Sequence, residues 1–501
     1  MINVDFNETK RSVSERTRTA NYEGGEAFET ESPTFELYKL VINNLLEDTY
    51  YREDETALAE VREAFSNAVE EDPEFPLKLA YYAREEMYLR DVSQVLLVLS
   101  AHHEEAKRHV REYAPHVMQR ADEPATALAI HDSLFGGTAP KPLKKGINDA
   151  LHNFDAYQFA KYDTDRRTVN LRDVVNRTHP RPRDDEHEEI FERLILGSLD
   201  DHPDVEPLET PRTWETVISE RGSTREAWED VLPDMGLFAR LRNVRNMLEA
   251  GVSAERIFDE ADLSYVSKSK IYPFRFYQAY KAVQDAGVST PEIEDWLSQA
   301  INVAAGELPD ELEDTFVAVD LSGSMEAPLS ANSSLTYAEI AAFFGAVLMQ
   351  NGAETSVFAD GFDLVNAHHD TPTLELVDKI LTQNVGLSTN GWKALDYLAE
   401  REQAVDRVVM FTDMQIWDST PGLARDHNTV KSSFDAYRRA VAPESALYMI
   451  DLSSYGDLVT PEGYEQVFNI SGWNDNVLDF IQYAERPGEV LAEIEAIRVG
   501  E

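Results

Sequence analysis

Through residues 1–313 apolar side chains recur at three- and four-residue spacing, the period of a helix with one buried face. The spacing predicts helices from Pro33 towards Leu46, then over Ala57–Val69, Pro76–Glu86 and Val92–His102. Glu31-Ser32-Pro33-Thr34 reads as a helix start, because a hydroxyl satisfies orphan amides and proline suits the first helical turn. Each stretch is short and amphipathic, is ended by Asp, Pro or Gly, and strand signals are scarce. Such helices bury their apolar faces against one another in antiparallel pairs, which predicts an α-solenoid, although no strict repeat is present.

The pattern changes near Glu313. Thr315-Phe316-Val317-Ala318-Val319 is a continuous β-branched and aromatic run, the signature of a strand buried on both faces. A helix is predicted over Tyr337–Gln350, a strand over Glu354–Phe358, and helices over Thr373–Leu381 and Asn390–Arg401. A strand over Arg407–Thr412, a helix over Ser432–Val441 and a strand over Ala446–Asp451 complete the series. Strands that alternate with helices form a doubly wound parallel sheet, and such sheets bind ligands at the carboxyl ends of their strands. The chain thus divides into a helical part, 1–313, and an α/β part, 314–501.

Composition narrows the classes. The 501 residues are 43% hydrophobic, enough for two or three packed cores. Lys and Arg total 46 against 93 Asp and Glu, a net charge of −47. A chain so charged repels itself in dilute buffer, and at about 1 M salt the Debye length shrinks to about 3 Å and screens the repulsion. The expected source is a halophile, a halophilic archaeon, and the expected compartment is the cytoplasm. There is no cysteine, which excludes disulfide frameworks, thiolate zinc sites and a cysteine nucleophile. The first thirty residues are charged and carry no signal-peptide core, and no apolar run is long enough to span a membrane.

Asp320, Ser322 and Ser324 follow directly after the first predicted strand of the α/β part, and their alternation lets one loop turn three oxygens to one point. Mg²⁺ prefers about six oxygens at about 2.1 Å and keeps several waters, which a carboxylate and two hydroxyls suit. Gly323 lets the backbone come close. The pattern is weak alone. Thr389, in the polar loop before a predicted helix, and Asp413, at the end of the strand Arg407–Thr412, bring two more oxygens to the same sheet edge. In the structural alternative the serines cap a helix and Asp413 is an ordinary loop residue.

This constellation resembles the metal-ion-dependent adhesion site of von Willebrand A domains. The resemblance implies that Asp320, Ser322, Ser324, Thr389 and Asp413 are ligands, some through water, of a divalent cation, Mg²⁺ above all. It also implies that the last coordination position is left to a partner's carboxylate. Relatives often read Gly-Gly-Thr-Asp where this chain reads Leu387-Ser388-Thr389-Asn390, so the threonine is kept in an altered loop. No general base pairs with a nucleophile, and the loops lack a second carboxylate cluster for two metals, so an enzyme is not expected.

Positive charge is concentrated in the helical part. Thr138–Arg183 holds 10 Lys or Arg against 5 Asp. Lys141, Lys144, Lys145, Lys161, Arg166, Arg167, Arg172 and Arg177 are interleaved there with Tyr157, Phe159 and Tyr162. Cations neutralise phosphates and aromatic faces stack unpaired bases. The alternatives are core roles for the aromatics, Phe159 first, and arginines paired with Asp163, Asp165 and Asp173.

Thr213-Trp214-Glu215 leads on to Ser223-Thr224-Arg225-Glu226-Ala227-Trp228, and Met235-Gly236-Leu237 leads into Leu241-Arg242-Asn243-Val244-Arg245-Asn246-Met247-Leu248. With Leu171–Pro182, Asn21–Gly25 and the closing Ser471-Gly472-Trp473-Asn474, these segments resemble the TROVE module and A domain of Ro ribonucleoproteins. The likeness runs from about Asn21 to Ile481. It implies a ring of HEAT-like helices closed by the A domain. Single-stranded 3′ ends of misfolded noncoding RNA would enter the ring, and a Y-like RNA would bind its outer basic surface. His179 matches the family's RNA-contacting histidine. Lys161 and either Arg166 or Arg167 match basic positions before it, with one extra residue leaving the register open. Arg240, Arg242, Arg245, Lys268, Lys270 and Arg275 are candidates for the ring interior, and the Arg-Asn pairs can alternatively tie helices together through buried hydrogen bonds.

The expected function is therefore noncoding-RNA binding in RNA quality control, with an exoribonuclease as a protein partner, no DNA, no membrane and a monomeric chain. Molar salt weakens phosphate contacts, so stacking and shape should carry more of the affinity. A metal-dependent adaptor without an RNA role is the competing reading. A metal-dependent nuclease is a third.

Overall fold

The computed structural model describes residues 19–20, 26–27, 32–43, 55–164, 167–197, 202, 204–306, 314–329, 335–368, 370–413, 429–453, 467–471, 481 and 487–499. Two short strands, β1 (Thr19–Ala20) and β2 (Glu26–Ala27), pair antiparallel. The helical part then comprises α1 (Pro33–Asn43), α2 (Glu55–Glu71), α3 (Phe75–Glu85), α4 (Asp91–His102), α5 (Val110–Val117) and α6 (Glu123–Leu134). It continues with α7 (Lys141–Leu151), α8 (Ala156–Tyr162), α9 (Leu171–Thr178), α10 (Asp185–Leu196), α11 (Trp214–Arg221) and α12 (Arg225–Val231). It ends with α13 (Leu237–Glu249), α14 (Ala254–Ile257), α15 (Glu260–Val266), α16 (Pro273–Asp285) and α17 (Pro291–Ala305).

The predicted helices stand within two residues of their expected ends, except that Leu46 lies outside the described residues. Their starts have local causes. Asp155 caps α8 and Asn170 caps α9, each in a reciprocal capping box. Proline occupies the first turn of α3, α6, α7, α16 and α17, where its missing N–H costs nothing. Neighbours in sequence pack in pairs, among them α1 with α2, α3 with α4, α9 with α10 and α16 with α17. Helix α4 is buried from Val92 to Ala101 and touches α3, α5, α6 and α7, so it forms the centre of the N-terminal stack.

The α/β part has β3 (Thr315–Asp320), α18 (Tyr337–Gln350), β4 (Glu354–Phe358), β5 (Phe362–Leu364), α19 (Thr373–Leu381), α20 (Trp392–Glu400) and β6 (Arg407–Thr412). Helix α21 (Val430–Ala440), β7 (Ala446–Asp451), β8 (Val467–Ser471) and α22 (Pro487–Ala496) follow. Strand order is β5-β4-β3-β6-β7-β8. All neighbours are parallel except β5, which pairs antiparallel with β4. The sequence predicts the parallel core and misses β5, β8 and α22.

Side chains alternate between two cores. Val317, Val319, Val409, Phe411, Tyr448 and Ile450 join α18 and α19 in a core continuous with the helical part. Phe316, Ala318, Val408, Met410, Leu447 and Met449 face α20 and α21 in a second core. The helical arc meets the α/β part at both ends. At one end Phe274 and Tyr277 of α16 stack against Phe343 and Phe344 of α18, and Lys281 pairs with Glu339 at 2.8 Å. At the other end α1 and α3 pack on α22. Among the described residues no helix is long and apolar enough to cross a membrane.

Candidate functional site

Strands β3 and β6 are parallel neighbours, so their carboxyl ends bring Asp320 beside Thr412 and Asp413. Asp320 is fully buried. Its Oδ1 accepts the amide of Ser322 at 2.8 Å, and its Oδ2 accepts the hydroxyl of Thr412 at 2.7 Å. Ser322 Oγ lies 3.2 Å from Ser324 Oγ. The amide of Gly323 donates to the carbonyl of Leu387 at 2.9 Å, which stitches this loop to the one carrying Thr389. Thr389 and Asp413 are both buried. The structure thus brings four of the five expected ligands to buried positions and the fifth, Ser324, to a half-buried one, at one sheet edge. Burial pushes the Asp320 carboxyl up to about 7; its hydrogen bonds from Ser322 and Thr412 oppose the rise, and the Asp413 carboxylate adds to it.

Three residues complete this edge without having been singled out in the sequence. Asp360, after β4, accepts the amide of Leu387 at 2.9 Å and holds the loop before Thr389. Bonds from the Ser388 side chain and from the Leu387 and Ser388 amides hold its carboxyl below the usual range. Asp451 ends β7 as Asp320 ends β3. Its Oδ1 accepts the Ser453 amide at 2.9 Å, and the Ser453 hydroxyl reaches the Asp413 carbonyl at 3.1 Å. The signal was present in the sequence, because Asp451-Leu452-Ser453 repeats Asp320-Leu321-Ser322.

A second site lies on the helical arc. Lys141, Lys144, Lys145 and Asn148 fall on one face of α7, and with Thr138, Ala139 and Thr178 they line an open cavity of about 500 Å³. Among the described residues none of the three lysines has a carboxylate within ion-pairing distance. Asn148 donates to the Thr178 carbonyl at 3.1 Å, while its own Oδ1 is buried without a partner. His179 follows Thr178 directly, exposed and in the left-handed region at φ 51°. Asn148 could have been found by spacing, one turn beyond Lys144 and Lys145.

A family model described as "TROVE domain" matches residues 35–200 and 207–303, and one described as "Ro60 vWA domain" matches 315–483. The chain belongs to the Ro ribonucleoprotein family. Ro/TROVE proteins are RNA-binding components of ribonucleoproteins. In sequence this Ro-family chain is 24% identical over 311 residues to telomerase protein component 1 of Mus musculus, a match that covers 45% of the chain. The protein of the same name from Rattus norvegicus matches equally, and the chain spans 12% of the length of each. In fold it is similar to the Ro (RSR) protein of Deinococcus radiodurans, with a TM-score of 0.69 and 17% identity, over 91% of this chain and 100% of that one.

The other basic candidates of this Ro-family chain have diverse surroundings. Arg167 pairs with Asp122 at 2.6 Å, a carboxylate it shares with Arg120. Arg172 donates to the Leu194 carbonyl at 3.2 Å and ties α9 to α10. Arg177 makes two bonds, 2.5 and 2.8 Å, to Asp132. Arg240 pairs with Asp262 at 2.6 Å and also donates to the Ile257 carbonyl. Of the nearby carboxylates that the sequence suggested, Asp173 acts on the charge of Arg177, and Asp165 lies outside the described residues. Lys161, Arg245 and Lys268 are exposed, and Arg245 bonds Asn246 at 3.2 Å. Phe159 is a core residue, Tyr157 is exposed, and Tyr162 carries Arg120 over its ring at 4.7 Å. Arg166, Asn21–Gly25 and Gly472–Asn474 lie outside the described residues.

Proposed function

We propose that this chain binds noncoding RNA on the face that carries the lysine cavity, and that it serves RNA quality control. The observation that carries the reading is the cavity. In a chain of net charge −47, three adjacent lysines converge on one opening with no carboxylate partner among the described residues. Ammonium groups that lack an internal counter-charge suit phosphate oxygens, and the orphan Asn148 oxygen suits an N–H or O–H of a nucleotide. His179, beside the cavity wall, extends the same face. The RNA is either Y-like or a misfolded RNA with a single-stranded 3′ end, and an exoribonuclease is the expected recipient. The setting is a cytoplasm rich in salt.

The test compares RNAs with and without a single-stranded 3′ tail at low and molar KCl. Replacing Lys141, Lys144 and Lys145 by alanine removes up to three phosphate contacts, so the slope of log K against log salt should fall by about 2 for single strands. Unchanged affinity and slope in this triple variant would sink the reading.

A divalent cation, Mg²⁺ by the hardness of its donors, would be held by Asp320, Ser322, Ser324, Thr389 and Asp413. The donor set fits, being all oxygen and including two buried carboxylates. Positive charge between the carboxylates would oppose the burial that raises Asp320. The ion supplies a docking point for a partner's carboxylate, which is how an exoribonuclease or another protein would be joined. Asp320→Ala should abolish Mn²⁺ binding by calorimetry and leave RNA affinity unchanged. If it abolishes partner capture while the wild-type chain ignores RNA, the adaptor reading prevails.

A further inference from the structure

The rim of the metal edge carries one side chain that the ligand set does not use. Leu387 is 69% exposed, the highest value for a large apolar side chain among the described residues. The other exposed ones are aromatic rings and Val303. Single apolar residues in solvent are ordinary on protein surfaces. What singles this one out is its position. Its Cβ and Cδ2 each lie 3.9 Å from where a Cβ on Gly323 would stand, so the side chain rests on the loop between Ser322 and Ser324.

The backbone around Leu387 is fixed on both sides. Its amide donates to Asp360 Oδ2 at 2.9 Å, and its carbonyl accepts the Gly323 amide at 2.9 Å. Gly386, just before it, sits at φ 94°, and a Cβ there would collide with the Asp360 carboxylate, so only glycine serves. Ser388, just after it, bonds to the same carboxylate. A leucine on a loop so anchored projects in one direction. It has little freedom left to lose when a partner covers it, so the apolar contact is kept as binding energy.

Charge narrows what that partner can be. Glu326, two residues beyond Ser324, and Asp360 are both exposed, and Lys393 partly offsets Asp360. The chain as a whole carries −47. A run of acidic residues would be repelled here, while the ion would still accept one carboxylate. A segment with a single carboxylate and an aliphatic neighbour satisfies both surfaces. In an extended segment, residues two apart share a face about 7 Å from one another. That reach suits a carboxylate over the serines and an aliphatic group over Leu387, which are separated by Gly323 alone.

We propose that Leu387 sets the specificity of the metal edge. Its partner is a segment of another protein that carries one carboxylate for the ion and, within two positions of it, an aliphatic side chain for Leu387. The inference rests on the metal reading above and adds to it a chemical requirement on the partner.

The test uses the full chain and an array of short peptides, each with one aspartate and with leucine or serine at every position within two of it, together with an all-aspartate peptide. Binding is read at molar KCl, in Mn²⁺ and in EDTA. The wild-type chain should hold the best leucine peptide about tenfold more tightly than its serine counterpart, in Mn²⁺ only, and should gain nothing from added aspartates. Leu387→Ser should erase this preference while Mn²⁺ affinity by calorimetry stays at the wild-type value, and Leu387→Ile should keep it. Three results overturn the inference and leave the metal reading intact: equal binding of leucine and serine peptides by wild type, a preference that survives in Leu387→Ser, or no peptide binding by a chain that binds Mn²⁺. Loss of Mn²⁺ affinity in Leu387→Ser also overturns it, by making the side chain a prop of the ligand loop. A wild-type chain that takes up no Mn²⁺ fells the metal reading, and this inference with it.

Discussion

His102 shows how far one side chain can be committed by its neighbours. Its ring lies against Phe135 with centroids 3.6 Å apart, and His131 stacks 5.2 Å away. Burial first, and His131 second, push its pKa down to about 4. Above the ordinary histidine value both folded and unfolded chains carry it neutral. As pH falls through 6.5 the unfolded chain takes up a proton that the folded chain refuses until about 4. Stability should therefore fall across that window, by at most about 3 kcal/mol and less for the partial exposure of the ring. Denaturant melts at pH 7.5 and 4.5 should show His102→Phe losing most of this dependence; an unchanged pH profile would refute the assignment. The same scale explains why the basic residues were only partly legible. Lys141, Lys144 and Lys145 share a helical face that spacing reveals. The carboxylates that claim Arg167 and Arg177 stand on α6 and the turn before it, about 45 positions upstream, and no local pattern in the sequence points to them.

At the scale of elements, buried strands were the most legible features. Thr315–Asp320 and Arg407–Thr412 are enclosed on both faces, so the four central positions of each are apolar and the run stands out. Strand β5 has three residues, sits at the sheet edge and leaves Asp363 in solvent, so it lacks that signal. Helix α18 depends on one close approach. A Cβ at Gly345 would lie 2.7 Å from Val319 Cγ2 of β3 and 3.6 Å from Ile380 of α19. Alanine normally favours a helix over glycine by about 1 kcal/mol. Here the overpacking of strand against helix should win, and Gly345→Ala is expected to destabilise by about 1–3 kcal/mol. Chemical denaturation at fixed salt measures it. At the carboxyl edge of β3 and β6 the five oxygen-bearing residues were legible in the sequence; Asp360 was not, since it reaches the Leu387 loop from the end of β4 with no motif around it.

For the whole molecule the dominant quantity is charge. With 93 acidic against 46 basic residues, repulsion destabilises the compact state wherever salt is low. The melting temperature should climb steeply from 0.1 M towards about 2 M KCl, beyond the range in which the Debye length has already dropped to a few ångströms. A flat curve would remove the argument for a halophilic setting. Binding should follow the opposite trend, with cavity contacts weakening as salt rises.

The core shared by the helical arc and one face of the sheet has a further consequence. Phe274, Tyr277, Phe343 and Phe344 are one block of rings contributed by both halves of the chain. Neither half can melt without stripping the other of that block. Calorimetry should accordingly record a single transition whose van't Hoff and calorimetric enthalpies agree. Severing the chain after Gly306 should release two sticky fragments that aggregate, because each would expose its side of the block to water. In this protein the part that would bind RNA and the part that would hold the ion share a common fate in the unfolding equilibrium.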